Sequence, residues 1–444
     1  MENVAVIGAG LVGSLQALYL AKQGHDVKVF ERRPDMRQAE INAGKSINLA
    51  LSDRGWKALA GVGMEEAIRE ISIPMKGRMM HDVEGNLTFQ PYGLEGQAIY
   101  SVSRGDLNAK LMTAAEKHDN VSFFFNEKCL DFNLNTNEVN FENQVTKDVS
   151  EYKFNHIFGT DGAFSAVRSR MMKTDRFNYS QSYLKHGYKE LSIPPAADGS
   201  HRIDKNCLHI WPRGKFMMIA LPNLDGSFTV TLFFPFEGEN SFEELDTKEK
   251  VQRFFEKTFP DSLEHMPHLL EEYFSNPTSS LVTVRCEPWN IEDRVLILGD
   301  AAHAVVPFYG QGMNSGFEDC SAFAELQAVY GSDWKKLFSE FSKQRKPNAD
   351  AIADLALRNH IEMRDLTADP NFLLQKKIEK KMHEKYPDKW IPLYSQVTFT
   401  HIPYAEALKN GEEQDKIMEK IMSKPNIHDI WDSEEVEKEI LKQL

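Results

Sequence analysis

A glycine-rich turn close to the N-terminus constrains the fold of this chain more than any other feature. The apolar segment 4–7 predicts a buried parallel strand. It is followed by Gly8, Gly10 and Gly13, which match the pattern G-x-G-x-x-G. The first glycine permits a tight turn, the second lets a pyrophosphate approach the backbone, and the third lets a helix pack close to the strand. The helix predicted over 11–22 would direct the free N–H groups of its first turn toward a phosphate.

An acidic residue follows where a dinucleotide-binding fold needs one. The segment 27–30 predicts a second strand, and Glu31 stands at its carboxyl end, 18 residues after Gly13. A carboxylate at this place accepts hydrogen bonds from both hydroxyls of an adenosine ribose. The glycines alone would also fit a turn in an ordinary α/β protein. Strand, helix, strand and acid in this order predict a dinucleotide-binding domain.

The composition excludes several classes of protein. The 444 residues suggest two or three domains, and 41% hydrophobic with 27% charged residues is ordinary for a globular chain. The net charge of −14 argues against nucleic acid or an anionic membrane as a partner. A strand that begins at residue 4 leaves no room for a signal peptide, and no apolar run is long enough to span a bilayer. The four cysteines lack metal-ligand spacing, so we expect reduced thiols, no metal and a cytoplasmic location. The oligomeric state stays open.

Local sequence patterns predict where the secondary structure of the chain changes. The stretch 36–55 is polar and predicts irregular structure, although a helix is expected from residue 53. A hairpin is predicted over 75–89, and strand patterns between 180 and 275 predict a mostly antiparallel second domain. Helices are expected from residue 311 onward. The segment 374–386, with seven lysines or glutamates in thirteen positions, predicts a solvated helix, and a membrane or partner helix is the alternative.

Two further strand-end motifs point to a flavin. A strand predicted over 157–160 ends at Asp161-Gly162, with a helix after it, and a strand over 295–298 ends at Gly299-Asp300. The carboxylate of Asp300 is placed to accept hydrogen bonds from the ribityl hydroxyls of a flavin, a loop-end cap being its alternative role. The N–H groups of Met313 and Asn314, at the next helix start, can face the flavin pyrimidine edge. His303 could be a general base, but we favour a structural role for it.

Together these motifs resemble the FAD-dependent aromatic hydroxylases of the p-hydroxybenzoate hydroxylase group over about residues 1–330. The single G-x-G-x-x-G departs from two-domain disulfide reductases and fits hydroxylases that NADPH visits transiently. The resemblance implies an α/β fold with a Rossmann-like FAD-binding domain, an antiparallel β-sheet substrate domain and a helical C-terminal region. The implied ranges are 1–75, 96–178 and 276–330 for the FAD-binding domain, 76–95 and 179–275 for the substrate domain, and 331–444 for the helical region.

Within this group the chain resembles the kynurenine 3-monooxygenase family from residue 3 to about residue 408. The segments that carry this likeness differ between hydroxylases, and they are 47–52, 75–81, 91–93, 101–104, 307–314 and 393–395. Animal members have a C-terminal membrane segment. The chain lacks one, so it is similar to the soluble bacterial members.

The resemblance implies a site for an amino acid that bears an aniline ring. Its carboxylate would be bound by Arg78, Tyr92, Asn359 and Tyr394. Arginine suits this task because its planar fork can donate two parallel hydrogen bonds. The ring would lie among Leu208, Met217, Ile219, Leu221, Thr231, Phe233, Pro307 and Phe308. The i, i+2 spacing puts each set of strand residues on one side of its strand, which an ordinary sheet core would also show.

For FAD the resemblance extends the contacts that the glycine turn predicts. The full predicted set is Gly8, Gly10, Val12, Gly13, Glu31, Arg33, Ala50, Arg104, Cys129, Asp161, Asp300, Met313 and Asn314. The contacts at Val12, Ala50 and Cys129 would be made by the backbone, so we do not expect Cys129 to be redox-active.

The activity that the resemblance implies is the hydroxylation of L-kynurenine to 3-hydroxykynurenine, a step of tryptophan breakdown toward quinolinate and NAD. NADPH would reduce FAD, and O₂ would then give a flavin hydroperoxide that the electron-rich ring attacks. No acid–base residue is required, and we predict no catalytic side chain. A halogenase is disfavoured because its Trp-x-Trp-x-Ile-Pro signature is missing. A hydroxylase of another aromatic acid and a non-catalytic FAD-fold binding protein are the alternatives.

Overall fold

The computed structural model of the chain describes residues 1–38, 48–363 and 369–444. The segment 39–47, which includes Ile47 and much of the stretch predicted to be irregular, lies outside the described residues. The described chain divides into two compact units. Unit 1 consists of Met1–Ile73, Tyr100–Leu184 and Ser280–Ala353, and unit 2 of Pro74–Ile99, Lys185–Ser279 and Asp354–Leu444. The three domain ranges expected from the sequence stay a prediction.

Strands predominate in the described chain up to residue 297, and helices follow from residue 300 onward. The strands are β1 Asn3–Ile7, β2 Asp26–Glu31, β3 Asn48–Leu51, β4 Ser72–Met75, β5 Gly77–His81, β6 Leu87–Pro91, β7 Ile99–Ser103, β8 Val121–Phe125, β9 Glu127–Phe132, β10 Glu138–Asn143, β11 Val149–Lys153, β12 His156–Gly159, β13 Asn178–Ile193, β14 Cys207–Pro212, β15 Met217–Pro222, β16 Phe228–Pro235, β17 Thr278–Glu287, β18 Asn290–Ile291 and β19 Val295–Ile297. The helices are α1 Leu11–Lys22, α2 Asp53–Gly61, α3 Glu65–Arg69, α4 Arg104–Glu116, α5 Ala166–Met171, α6 Lys248–Thr258, α7 Pro260–Leu263, α8 Leu269–Ser275, α9 Asp300–His303, α10 Gly312–Tyr330, α11 Trp334–Ile361, α12 Pro370–Lys385, α13 Leu393–Thr398, α14 Tyr404–Met422, α15 Ile427–Ile430 and α16 Glu434–Leu441, with a 3₁₀ turn at Pro307–Tyr309 between α9 and α10.

The main sheet of unit 1 has six strands in the order β18-β19-β12-β1-β2-β8. All pairs except β18–β19 are parallel. In the register of the three central strands, Ile7 is opposite Gly159, and Gly159 is opposite Ile297. Because parallel strands end at the same edge of a sheet, the three motifs that follow β1, β12 and β19 lie side by side. The α/β class expected from the sequence is confirmed.

One local prediction in unit 1 is wrong. Residues 48–51 are not irregular but form β3, which pairs with β7 in antiparallel register from Asn48 opposite Ser103 to Leu51 opposite Tyr100. The side chain of Asn48 is buried and donates a hydrogen bond to Ser101 Oγ (3.2 Å). A polar segment therefore becomes a strand because a partner from a distant part of the chain satisfies its backbone and its amide.

Among its described residues, unit 2 holds five whole strands of a seven-stranded sheet, in the order β16-β15-β14-β5-β6. It also holds the part of β13 that pairs with β16 in antiparallel register, from His186 to Ile193. These neighbours are antiparallel except for β14 and β5, which run parallel. The expected sheet was mostly antiparallel, and the parallel pair fits that expectation, since β5 and β14 are far apart in sequence and no tight turn joins them. One face of the sheet, with Trp211, Met218 and Leu232, packs in a buried cluster with side chains of α6 to α8.

The segment 374–386, predicted to be a solvated helix, is only half solvated. It lies in α12, and its residues Ile378 and Met382 are buried in a cluster with Trp390 and Met418. The two apolar residues are spaced i, i+4 and so share one face of the helix. The lysines and glutamates dominate the composition of the helix, but the spacing of its few apolar residues decides how it packs.

Among the described residues, no helix combines the length and the apolar character that crossing a membrane would require.

Candidate functional site

The glycine turn of unit 1 leaves open space at one position only of its three. At Gly8, where φ is +103°, a Cβ atom would stand 2.6 Å from the carbonyl oxygen of Thr160. At Gly13 a Cβ atom would stand 1.9 Å from Gly8 O. At Gly10 it would meet nothing within 4 Å. Gly8 and Gly13 are thus required by the packing of the chain itself, whereas the space at Gly10 is free for a phosphate to approach the backbone.

Two polar side chains that the sequence did not single out hold this turn. Thr160 Oγ1 donates to the carbonyl oxygens of Ile7 (3.0 Å) and Gly8 (2.9 Å). Asn108 Nδ2 donates to Ala9 O (2.9 Å). The sequence signal that could have indicated Thr160 is its position directly before the Asp161-Gly162 motif. No feature of the sequence around Asn108 indicated its role. Helix α1 has Gly10 as its N-cap and no side-chain cap, so the first N–H groups of the helix are available to an anion.

The carboxylate of Glu31 closes the turn from the end of β2. Its Oε2 accepts a hydrogen bond from Ala9 N (3.0 Å), and its Oε1 accepts one from Arg33 N (3.0 Å). Each carboxylate oxygen has a second acceptor position. Glu31 can therefore hold the turn and still accept hydrogen bonds from ribose hydroxyls. The side chain of Arg33 is exposed beside it.

The carboxylate of Asp161 is occupied within the chain. It accepts hydrogen bonds from Ser165 Oγ and from the backbone N–H groups of Ala166 (2.6 Å) and Val167 (3.3 Å). Burial raises the pKa of this carboxyl, while these hydrogen bonds act in the opposite direction. Asp161 therefore anchors the start of α5, and its contact with FAD stays a prediction.

Asp300 and Val12 lie at a close approach between β19 and α1. Asp300 is exposed and begins α9 directly after Gly299, whose φ is +55°. A Cβ atom at Gly299 would stand 2.9 Å from Cγ2 of Val12, and one at Gly316 of α10 would stand 2.6 Å from the same atom. The exposed carboxylate of Asp300 thus follows a glycine whose backbone packs closely against the Val12 side chain, and Gly316 packs against the same side chain.

Asn314 uses its whole side-chain amide inside unit 1. Its Oδ1 accepts from Ser52 N (2.9 Å), and its Nδ2 donates to the carbonyl oxygens of Ala50 (2.8 Å) and Gly310 (2.8 Å). The side chain therefore joins the end of β3 to the start of α10. A contact from Asn314 or the half-buried Met313 to a flavin would come from the backbone N–H groups of the first turn of α10.

The other predicted FAD residues differ in exposure. Arg104 is exposed at the start of α4, directly after β7, which pairs with β3. Cys129 is buried on β9, and burial raises the pKa of its thiol well above the ordinary value. A protonated, buried thiol is unreactive, which agrees with a contact through the backbone alone.

His303 is buried and structural in its contacts. Its ring stacks on Trp289 with ring centroids 5.0 Å apart, and its Nε2 donates to Asp319 Oδ2 (2.6 Å).

Unit 1 thus contains the exposed carboxylate of Asp300, the tight turn from Gly8 to Gly13, and the starts of α1 and α10, which have no side-chain cap. Together these features form a site whose chemistry fits FAD.

In unit 2 the guanidinium of Arg78 stands against two tyrosine rings. Arg78 lies on β5, Tyr92 directly follows β6, and Tyr394 lies on α13. The Arg78 Cζ atom is 5.4 Å from the ring centre of Tyr92 and 4.8 Å from that of Tyr394. The two rings stack with centroids 5.3 Å apart and planes 11° from parallel. Three residues from distant parts of the sequence therefore form one cluster.

This cluster contains polar atoms that need a partner. Within the described residues, Nε of Arg78 and Oη of Tyr92 are buried without a hydrogen-bond partner. Burial raises the pKa of Tyr92 and of Tyr394, so both phenols stay protonated. Although burial opposes the charge of Arg78, the two phenol oxygens favour it, and its pKa lies above the ordinary value. A buried donor without a partner is costly, and a bound carboxylate would remove that cost.

Asn359 is buried near the C-terminal end of α11. Its Nδ2 donates to Met363 Sδ (3.2 Å). Its predicted role in binding a carboxylate stays a prediction.

The six predicted ring contacts of unit 2 share one face of the sheet. The register pairs Met217 with Phe233 and Ile219 with Thr231, and it places Leu208 opposite Arg78. Leu221 follows Ile219 at i+2, and Leu208 precedes Ile210, which pairs with Ile219. This face is opposite to the one that bears Trp211 and Met218. The six side chains are therefore not part of the core between the sheet and helices α6 to α8.

Pro307 and Phe308 lie in unit 1, in the 3₁₀ turn before α10. Phe308 is buried and Pro307 is exposed. Their predicted contact with a substrate ring stays a prediction.

Comparison with known proteins agrees with this geometry. The family model described as FAD binding domain matches residues 1–356. A kynurenine 3-monooxygenase of Flavobacterium johnsoniae is 55% identical over 442 residues, which cover 100% of this chain and 98% of that protein. The proteins of the same name from Anopheles gambiae and Sus scrofa are 47% and 45% identical, over 95% and 94% of this chain and 86% and 88% of their own lengths.

Two solved structures share the fold at low sequence identity. The tetrameric form of 2-methyl-3-hydroxypyridine-5-carboxylic acid oxygenase has a TM-score of 0.67 at 17% identity, covering 86% of this chain and 97% of that one. PqsL of P. aeruginosa, in complex with 2-aminobenzoylacetate, has a TM-score of 0.65 at 18% identity, covering 82% of this chain and 97% of that one. At these identities the likeness shows the fold alone.

Proposed function

The chain belongs to the kynurenine 3-monooxygenase family of FAD-dependent monooxygenases, and from this membership we propose that it hydroxylates L-kynurenine to 3-hydroxykynurenine. NADPH and O₂ are the co-substrates, and the reaction belongs to tryptophan breakdown. The bound FAD supplies the redox chemistry, since it passes electrons from NADPH to O₂ so that one oxygen atom reaches the aromatic ring. The protein binds both molecules, orients them and excludes water.

The residues of unit 1 divide the binding of FAD among them. The open position at Gly10 and the first turn of α1 bind the pyrophosphate. Glu31 accepts hydrogen bonds from the adenosine ribose. Asp300, which is exposed, accepts them from the ribityl hydroxyls, and the first N–H groups of α10 bind the pyrimidine edge.

The observation that carries the choice of substrate is the half-buried Arg78, whose Nε atom is itself buried. Its Nε and the hydroxyl of Tyr92 lack partners within the described part of the chain. The carboxylate of an amino acid supplies two acceptor oxygens, which fit a guanidinium fork and a neighbouring phenol. Tyr394 contributes its ring to the same cluster. Asn359 is the fourth residue proposed to bind the carboxylate, and it is included because of the resemblance to the family.

The sheet face next to Arg78 suits an aromatic ring. Leu208 is opposite Arg78 in the register, and Ile219 and Thr231 are opposite each other on the next two strands. An apolar face excludes water from the reacting ring, and the exclusion of water prevents side reactions of reactive intermediates. No side chain is assigned as acid or base, because the amine of the substrate activates its own ring.

We also place the protein in the cytoplasm. All four cysteines are buried free thiols, which fits a reducing compartment. NADPH is likewise a cofactor of that compartment.

The decisive experiment measures NADPH oxidation by the FAD-loaded protein with and without L-kynurenine, and the mass of the product. We expect a large increase with substrate and a product that is one oxygen atom heavier. A matched control is the same aromatic ketone without its carboxylate, which should stimulate poorly because it cannot engage Arg78. Stimulation by L-kynurenine without an oxygenated product would contradict the proposal, as would no stimulation at all.

A further inference from the structure

A chain of buried charged side chains joins the segments of unit 1 that are predicted to bind the flavin. Asp319, on α10, is completely buried. Its Oδ2 accepts hydrogen bonds from Gly299 N (2.9 Å) and His303 Nε2 (2.6 Å). Its Oδ1 accepts one from Nε of Arg345 (2.8 Å), on α11. One carboxylate therefore binds three donors, two of them at the ends of α9.

The network continues from Arg345 to the start of α10 and to α2. Nη2 of Arg345 donates to Ser315 O (3.3 Å), and its Nη1 donates to Glu318 Oε2 (2.7 Å). Glu318 Oε1 accepts a hydrogen bond from Nη1 of Arg54 (2.5 Å). The side chains of Arg54 and Arg345 are at most 5% exposed. The guanidinium of Arg345 thus uses all three of its nitrogen atoms in different contacts.

These contacts reach three backbone segments that carry predicted flavin contacts. Gly299 precedes Asp300 and has a φ of +55°, which L residues rarely adopt. Ser315 lies in the first turn of α10, next to Asn314. Arg54 is in α2, directly after the strand that contains Ala50. Arg54, His303, Asp319 and Arg345 are buried, the side chain of Glu318 is 16% exposed, and Asp300 is exposed.

Both guanidiniums of the network have carboxylate partners. Two guanidiniums, of Arg54 and Arg345, are paired with the carboxylates of Glu318 and Asp319. Although burial alone would raise the pKa of Asp319, His303 and Arg345 hold it below its usual value. Loss of the Asp319 charge would leave Arg345 and His303 without their common acceptor in a region that excludes water.

We propose that Asp319 and Arg345 are positioning residues for FAD. They hold the backbone at Gly299 and the first turn of α10 in the arrangement that binds the cofactor, although neither is predicted to contact it. The inference rests on the proposed placement of FAD at Asp300 and α10. It adds two residues to the determinants of cofactor affinity, and both act through the backbone.

The test compares two aspartates in different units that each bind a histidine and a neutral N–H donor, while Asp319 binds Arg345 in addition. In unit 2, Asp261 Oδ2 accepts hydrogen bonds from His81 Nδ1 (2.7 Å) and from Trp211 Nε1 (2.9 Å). Asp319→Asn and Asp261→Asn therefore each remove a charge that a histidine and an N–H donor share. We expect both variants to melt at a lower temperature than the parent. Only Asp319→Asn should weaken the binding of FAD, by about 10- to 100-fold.

The readout is the dissociation constant of FAD, measured by quenching of flavin fluorescence on full-length protein from which the cofactor has been removed. It is taken at a temperature where both variants are folded. Arg345→Lys is a milder second variant, because lysine keeps the charge but cannot bind Asp319, Glu318 and Ser315 together. We expect it to weaken FAD binding about 3- to 10-fold, and it carries the test if Asp319→Asn does not fold.

Two results would overturn the proposal. One is a dissociation constant within about twofold of the parent in folded Asp319→Asn or Arg345→Lys. The other is an equal loss of FAD affinity in Asp261→Asn, since general destabilisation of the protein would then explain the loss in Asp319→Asn as well. The measurement contains no L-kynurenine, so its outcome does not depend on whether kynurenine is the substrate.

Discussion

Tyr92 and Tyr394 stack in parallel, with ring centroids 5.3 Å apart and planes 11° from each other, although 302 positions separate them in the sequence. The guanidinium of Arg78 lies against both rings. The Nε atom of Arg78 is buried beside this stack without a hydrogen-bond partner among the described residues, and a charge–charge contact is stronger in such a low-dielectric environment than in water. This cluster is the part of unit 2 whose chemistry is most specific, and the first two predictions concern it.

Substitution of Arg78 should act on substrate binding. Arg78→Ala removes a charged donor, and we expect the KM for L-kynurenine to rise about 10- to 100-fold. Arg78→Lys keeps the charge but loses the planar fork, so its KM should lie between those of Arg78→Ala and the parent. Steady-state NADPH oxidation measures both. An unchanged KM in Arg78→Ala would refute the role assigned to this residue.

Removal of the Tyr92 hydroxyl should separate binding from stability. Tyr92→Phe keeps the stacked ring but deletes an Oη atom that is buried without a partner in the described residues. The melting temperature should therefore stay the same or rise, because no internal hydrogen bond is lost. The KM for L-kynurenine should increase about 3- to 10-fold. A fall in melting temperature with an unchanged KM would instead assign the hydroxyl to the fold.

The glycines of the turn should respond differently to alanine. Gly13→Ala would place a Cβ atom 1.9 Å from Gly8 O, so we expect strong destabilisation of the protein itself. Gly10 has a φ of −74° and open space around it, so Gly10→Ala should cost the apoprotein less than about 1 kcal/mol. It should nevertheless weaken FAD binding, because the methyl group occupies the space that a phosphate needs. Melting of the apoprotein and FAD titration test both statements, and unimpaired FAD binding by Gly10→Ala would be evidence against a pyrophosphate at this turn.

The buried His209 predicts a loss of stability at mildly acidic pH. Burial lowers its pKa from 6.5 to about 4. A carbonyl oxygen, of Asp204, lies 2.8 Å from its Nε2, so Nε2 is the protonated nitrogen, and Nδ1 lies 2.8 Å from His81 Nε2. Between pH 6.5 and 4 the unfolded chain binds a proton that the folded chain does not, so stability falls as the pH is lowered. The full effect is about 3 kcal/mol.

Denaturant unfolding at several pH values between 7 and 4 measures this dependence. The control is His209→Gln, in which the slope of stability against pH should be smaller by about one proton over the same range. An equal slope in the parent and in His209→Gln would contradict the lowered pKa of His209.

The sequence could predict those parts of the site whose geometry is local. The turn at Gly8 to Gly13 and the carboxylate of Glu31 lie within one strand–helix–strand unit, so their spacing along the chain specifies their arrangement. The same holds for the strand ends at Asp161 and Asp300. The secondary-structure prediction was poorer where a segment is stabilised by a partner from a distant part of the sequence. Residues 48–51 became a strand through pairing with β7, and α12 buried a face that its composition concealed.

What the sequence by itself determined is the class of cofactor, because phosphate and ribose are recognised by backbone groups and one acid at fixed spacing. Only the tertiary structure decided which side chains are still available to a ligand. It engaged the amide of Asn314 with Ser52 and Ala50, which are 262 and 264 positions away in the sequence, and it left Nε of Arg78 without a partner among the described residues of unit 2. The physical reason is that hydrogen bonds of side chains are made across large separations in sequence, so they follow from packing and not from local spacing.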